Sequence, residues 1–132
     1  LLNHCITRPD NKRTSTGAFI DRYVFPNGEL PHISLALESM QRGGLEPVDV
    51  ESLRRHYAHT LDLWAENFEA HADEARKLVD DEKFRIWRVY LAGCAYAFEN
   101  DDVSIFQVVC RKAGRSAKNL PWSRRYMYEK PL

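Results

Sequence analysis

Few side chains in this sequence stand where they could do chemistry, and His4 is the first of them. It lies in the stretch Leu1-Leu2-Asn3-His4-Cys5-Ile6-Thr7, which reads as a short buried strand ending in a polar turn. In an open α/β sheet, ligands collect beyond the carboxyl ends of the strands. A histidine in that place can act as a base, an anion ligand or a hydrogen-bond anchor. The plainer alternative is a core histidine with its hydrogen bonds satisfied. Tyr57 is the second candidate. It opens a long helical stretch, so its hydroxyl could reach a pocket or its ring could simply pack in the core. His32 falls at a helix start, and His59 and His71 fall on polar helix faces that read as solvated.

Other chemistries find little support. Asp10, Asp21 and Glu29 are loop carboxylates with no helical pairing, so they do not make a paired-acid site. Ser34, Ser39 and Ser104 lack a nucleophile-elbow context. Gly43-Gly44 follows a helix instead of opening one, which is the wrong setting for a phosphate or dinucleotide loop. Cys5, Cys94 and Cys110 each sit among apolar residues. They read as buried, reduced thiols, and no Cys/His spacing suggests a metal.

The elements that must position these residues follow from the apolar pattern. Leu1 to Ile6 reads as a strand, and Arg8 to Gly17 as a polar loop. The aromatic run from Phe19 to Phe25 reads as a continuation of that loop, lining a pocket or packing on the domain; Pro26-Asn27-Gly28 then forces a turn. Pro31 suits a first helical position. Ile33, Ala36, Leu37 and Met40 repeat at helical spacing up to the glycine pair. Leu45 to Leu53 alternates as a strand should. A long helix follows from about Leu53 to Leu78, with Tyr57, Leu61, Trp64, Phe68, Ala75 and Leu78 on one face. A second runs from about Asp81 to Phe98, burying Phe84, Trp87, Leu91, Cys94, Ala95 and Phe98. Val103 to Cys110 is apolar on both faces apart from Gln107, as a strand in a covered sheet requires. The order of strand, loop, helix and strand indicates an α/β domain. A helical pair placed over its sheet suits a pocket.

The chain has 132 residues, 44% of them hydrophobic and 29% charged, enough for one domain with a real core. Lys plus Arg and Asp plus Glu number 19 each, so the net charge is zero, and nucleic acid has no electrostatic case. The charge is uneven. From Arg111 to Lys130 there are seven basic residues and one acid, Glu129. Such a tail could touch anionic lipid or a partner, or could simply be solvated. Within it, Trp122, Tyr126 and Met127 are the side chains expected to dock.

Several stretches carry a resemblance. Leu1-Leu2-Asn3-His4-Cys5-Ile6, the run from Phe19 to Pro31, and His56-Tyr57-Ala58-His59-Thr60-Leu61-Asp62-Leu63-Trp64 resemble the cyclopropane-fatty-acyl-phospholipid synthases and mycolic acid cyclopropane synthases. Tyr90-Leu91-Ala92-Gly93-Cys94-Ala95, Phe98, and Ile105-Phe106-Gln107-Val108-Val109 resemble that family's closing helix and strand. The matches run in order over about residues 1–112.

This resemblance implies the C-terminal part of a class I, seven-stranded, Rossmann-like methyltransferase. Residues 1–112 would form half of that domain, with a helical insert at about 54–99, and residues 113–132 a basic tail. The strands here would be its fifth, sixth and seventh, the last antiparallel. The implied enzyme uses S-adenosylmethionine to add a methylene, or a methyl branch, at the double bond of an unsaturated acyl chain. The alkene takes the sulfonium methyl, and the carbocation then loses a proton to a bound bicarbonate. By motif position, His4, the Ile6 N–H and Tyr57 would hold that bicarbonate. Phe19, Tyr23, Phe25, Trp64, Phe68 and Tyr90 are the expected acyl-pocket lining. The family's glycine-rich cofactor loop, its ribose-binding acid, and the Cys and Glu that complete the anion site all precede the fifth strand. The chain is therefore expected to be inactive alone and to hold no cofactor or metal itself. The full enzyme is expected in the cytoplasm, touching the inner membrane face to reach a phospholipid. A non-catalytic lipid-binding or interaction module, and a methyltransferase for an amine or small molecule, are the rival readings.

Overall fold

The computed structural model describes residues 1–10 and 17–129. Three strands form one sheet: β1 (Leu2–Thr7), β2 (Leu45–Ser52) and β3 (Ser104–Lys112). Their order is β1-β3-β2, and both pairings are antiparallel. β1 and β2 therefore run parallel to each other, separated by β3. Fifth, seventh and sixth strands with the seventh reversed would lie in this order.

Opposed residues in an antiparallel pair share a face. Ile6 stands opposite Ile105 and His4 opposite Gln107, so these four lie on one face. Cys5, Thr7, Phe106 and Val108 lie on the other. The two faces have different covers. Helices α3 (Arg54–Ala70) and α5 (Asp81–Glu99) pack together and bury Leu61, Ala95, Phe98 and Ile105 on the first face, joined by Ile6, Leu53, Tyr57 and Cys94. Helix α2 (Ile33–Arg42) lies on the second, where Met40 Sδ meets Cys110 Sγ at 3.5 Å. Ile105, Val108 and Cys110 are all buried, as an inner strand covered on both faces should be.

The expected elements need four adjustments. The run from Phe19 to Phe25 is not all loop; α1 spans Ala18–Tyr23. The turn after it forms as its composition requires. Asn27 takes φ 59° and its N–H donates to Asp21 Oδ1 at 2.8 Å, and the Gly28 N–H donates to the Phe25 carbonyl at 2.9 Å. A Cβ on Gly28 would stand 3.0 Å from the Phe25 carbonyl oxygen, so only glycine fits without displacing Phe25. Second, Pro31 does not open α2. His32 is the cap: its Nδ1 accepts from the Ser34 N–H at 3.3 Å, while the Pro31 carbonyl accepts from the Arg8 N–H at 3.1 Å.

Third, the helix expected from Leu53 to Leu78 breaks at His71. The second piece is α4 (Ala72–Leu78). His71 has φ −110° and ψ 26°, and its ring nitrogen lies 2.9 Å from the Asn67 carbonyl. An imidazole there competes for a carbonyl at the helix end. The break turns the apolar stripe away from α5, and Leu78 is 84% exposed. Trp64 and Trp87, expected in buried stripes, are also about half exposed at 50% and 45%. Fourth, β1 is buried only toward its end: Leu1 and Leu2 are exposed and Thr7 is fully buried.

The tail docks, though not by Trp122, which is fully exposed. Arg124 makes the attachment. Its Nε lies 2.7 Å from Asp49 Oδ2 and its Nη2 lies 3.3 Å from Glu51 Oε2. The Tyr128 hydroxyl, in the short helix α6 (Arg125–Tyr128), donates to Glu51 Oε1 at 3.0 Å. The acids on β2 thus tie the tail to the sheet, and Met127 lies half-buried near Val48.

Candidate functional site

Tyr57 is fixed from two directions. The Leu53 N–H donates to the Ile105 carbonyl at 3.0 Å, and the Tyr57 N–H donates to the Leu53 carbonyl at 2.9 Å. The first turn of α3 is therefore tied to β3. Arg54 ties the same turn to the far end of α5. Its Nη1 donates to the carbonyls of Phe98 at 2.8 Å and Glu99 at 3.0 Å, and its Nε faces Asp101 at 3.3 Å. Carbonyls at a helix C-terminus carry partial negative charge, so a guanidinium suits this place. Phe98 then supports the tyrosine ring, with centroids 5.0 Å apart.

The outcome is a contact between the two leading candidates. The His4 and Tyr57 rings meet edge to face at 6.2 Å, although they are separated by 53 positions in the chain. His4 stays exposed at the sheet edge. The Ile6 side chain packs into the core with Leu61 and Phe98. Its backbone faces elsewhere. Leu1 and Cys110 exchange both hydrogen bonds, at 2.8 and 2.9 Å. Antiparallel pairs alternate between bonded and non-bonded, so Asn3, Cys5 and Thr7 also bond to β3. The N–H groups of Leu2, His4 and Ile6 point outward, away from β3. An imidazole, a phenol and an outward amide thus meet at one open edge. That donor set suits a small anion.

Aromatic rings extend from this point. Tyr57 meets Trp64 at 6.0 Å. Tyr90 lies close enough to Tyr57 to feel it electrostatically, and it touches Phe25 at 6.2 Å and Trp87 at 5.4 Å. Ring contacts thus make two neighbouring groups of expected site residues, His4 with Tyr57 and Trp64, and Tyr90 with Phe25. Phe19 and Tyr23 pair with each other at 5.4 Å on α1. Phe68 lies apart, stacked on buried Phe84 at 5.0 Å and bordering a groove on the outer side of α3 and α5 with Ala65, Leu91 and Ala92. Among the described residues, no group of three or more His, Cys, Asp or Glu is placed to hold a metal, and no helix is long and apolar enough to cross a membrane.

Sequence reasoning passed over Cys94 and Phe98 as core residues only. Cys94 and Tyr90 stand one turn apart on α5 and perturb each other. Their i, i+4 spacing was the available signal. Burial pushes the Cys94 thiol up, and the neighbouring Tyr90 phenol partly offsets this. The Tyr90 phenol is pushed up to about 12, first by burial and then by Cys94 and Tyr57. Its neutral form is favoured in the fold, so this contribution to stability is complete below about pH 10, the unfolded value. It falls as pH rises from there toward 12. Alkaline difference spectra of the native protein should show late tyrosine ionisation to which Tyr90 contributes, and Tyr90→Phe should remove its part. An unchanged titration in the variant would contradict the assignment.

A sheet of this order, capped by a helical pair, matches the C-terminal part of an S-adenosylmethionine-dependent methyltransferase fold. The chain belongs to the mycolic acid cyclopropane synthetase family, whose model matches residues 1–108. It is 50% identical over 133 residues to a "probable fatty acid methyltransferase" of Pseudomonas putida, covering 97% of this chain and 34% of that protein. A second, of Mycobacterium tuberculosis, is 42% identical over 123 residues, covering 92% of this chain and 29% of the relative. The chain thus spans about a third of the length of these curated relatives. Among solved structures, mycolic acid cyclopropane synthase CmaA1, complexed with SAH and CTAB, superposes with a TM-score of 0.75 at 32% identity, over 84% of this chain and 43% of that one. The cyclopropane synthase MmaA2 from Mycobacterium tuberculosis gives 0.74 at 30% identity, over 85% and 44%.

Proposed function

We propose that the full-length protein is an S-adenosylmethionine-dependent methyltransferase that builds a cyclopropane or methyl branch at the double bond of an unsaturated fatty acyl chain. The observation that carries this is the meeting of His4 and Tyr57 at 6.2 Å beside the outward Ile6 N–H, backed by an apolar, aromatic wall. Addition of a methyl group to an alkene creates positive charge in an oily site and ends in loss of a proton. An enzyme for that step needs few charged side chains and one well-held acceptor. Bicarbonate fits the donors present: the His4 ring, the Tyr57 hydroxyl and the Ile6 amide would hold it. When bound, it supplies the base for the departing proton.

The residues of this chain then divide the work. His4, Tyr57 and Ile6 hold the anion. Phe25, Trp64 and Tyr90 exclude water beside it, and their ring faces can attract developing positive charge. Phe19, Tyr23 and Phe68 are assigned to the acyl path farther out. The glycines here do not form a phosphate or nucleotide loop, so the S-adenosylmethionine site is assigned to the part of the full-length protein outside this chain. The substrate is assigned as a phospholipid reached by peripheral contact at the inner face of a membrane from the cytoplasm.

The test is mass spectrometry of lipids after incubating the full-length protein with S-adenosylmethionine and an unsaturated phospholipid. The expected product gains one methylene on the acyl chain. Methyl transfer to a headgroup amine, with the acyl chains unchanged, would overturn the reading.

A further inference from the structure

The tail carries a surface that the proposed chemistry does not use. From Val103 to Tyr128 there is no acidic residue, and six basic residues fall in that stretch. Three of these already have partners. Arg111 pairs with Glu46, Arg124 with Asp49 and Glu51, and Arg125 with Glu129. The remaining cations, Lys112, Arg115 and Lys118, are exposed and have no ion pair among the described residues. They lead directly into Leu120-Pro121-Trp122. Trp122 has 105% relative exposure, so its indole touches almost nothing of the fold.

This arrangement is held in place. The Ala113 N–H donates to the Gly44 carbonyl at 2.9 Å at the near end, and the Arg124 and Tyr128 contacts with β2 secure the far end. Lys112 stands at the end of β3 beside the near anchor, and between the anchors the chain projects Arg115, Lys118 and the Trp122 indole. Leaving a tryptophan in water is costly, and cations without ion pairs favour an anionic surface beside it. An anionic bilayer satisfies both. Lysine and arginine are drawn to its surface charge, and tryptophan favours the headgroup level.

We propose that residues 112–122 form a membrane-docking finger for anionic phospholipid, anchored on β2 by the Arg124–Asp49–Glu51 contact and inserting Trp122 at the headgroup level. This deepens the lipid reading above and rests on it for the identity of the substrate. It does not rest on it for the binding.

The experiment is cosedimentation of the full-length protein with phosphatidylcholine vesicles, with and without phosphatidylglycerol. Two variants are compared: Trp122→Ser, and the triple change Lys112→Ala, Arg115→Ala, Lys118→Ala. None of these side chains belongs to the aromatic site, and circular dichroism checks that each variant folds. Each surface cation contributes about fivefold to binding, so the triple variant should bind anionic vesicles roughly a hundredfold more weakly. Trp122→Ser should weaken binding about tenfold, and neither variant should lose turnover on detergent-dispersed substrate. Equal binding with and without phosphatidylglycerol, or unchanged binding of both variants, would overturn the proposal. So would binding to an oligonucleotide but not to vesicles. Vesicle binding without any acyl methylation would leave the docking finger standing and remove the proposed reaction.

Discussion

His4→Ala in the full-length protein should lower turnover on an unsaturated acyl substrate by about a hundredfold or more, with S-adenosylmethionine binding nearly unchanged. The size follows from removing one positioned donor from a charge-stabilising site. Within this chain the His4 ring touches Tyr57 edge to face, so its packing role here is small beside its role as a donor. Tyr57→Phe is the sharper partner experiment. It keeps the ring contacts with Phe98 and Trp64 and removes only the hydroxyl. We expect at least a tenfold fall in turnover, with the unfolding midpoint close to that of the parent. Because His4 and Tyr57 would act on one anion, their effects should be less than additive in the double variant. Unchanged turnover in both single variants would exclude the anion assignment. Isothermal titration with the cofactor separates loss of chemistry from loss of cofactor binding.

Phe98→Ala should produce the largest stability loss. The side chain is 3% exposed and lies in the cluster with Leu61, Ala95 and Ile105. Truncating a buried phenylalanine costs about 3–5 kcal/mol, including the cavity left behind. Urea unfolding followed by circular dichroism would measure it. Phe98→Leu should lose less, because it fills most of the volume. Activity adds a second reading of the same residue. Phe98 supports the Tyr57 ring, so the alanine variant should lose turnover even at temperatures where it remains folded. A loss below about 1 kcal/mol would show that the α3–α5 interface can close over the gap.

Much of the arrangement was legible before any coordinates. The three strands and the two long helices followed from periodicity, because their apolar residues repeat at the spacing each element buries. The meeting of His4 with Tyr57 did not follow from periodicity. It depends on β3 entering between β1 and β2, and on Leu53 bonding to Ile105, which are long-range choices. The resemblance of the His56–Trp64 stretch to a known signature supplied what the pattern could not. The failures have physical causes. The aromatic run at Phe19–Phe25 contains no helical repeat long enough to announce a single turn of helix. Helix propensity gave no warning of the break at His71, where no glycine or proline marks it. Trp64 and Trp87 fell on the apolar stripe, yet large rings often stay partly exposed while packing edge-on with neighbours. Tail docking is expected from Trp122, Tyr126 and Met127; of these Met127 is half-buried near Val48 and Trp122 is exposed, while the ion pairs of Arg124 have no signal in the apolar pattern.

The central place of β3 also governs the order in which this part of the protein can form. β1 and β2 do not touch; each waits for the same partner. During synthesis, residues 2–7 and 45–52 emerge before the strand that joins them, residues 104–112, has left the ribosome. The α3–α5 hairpin, built from local contacts, can collect first and offer β3 a surface to settle on. Before that, two unsaturated edges are open to other nascent chains. A nascent chain that has emerged only as far as residue 103 would therefore hold a helical hairpin and two edges not yet joined by β3, whereas emergence of nine more residues would join them.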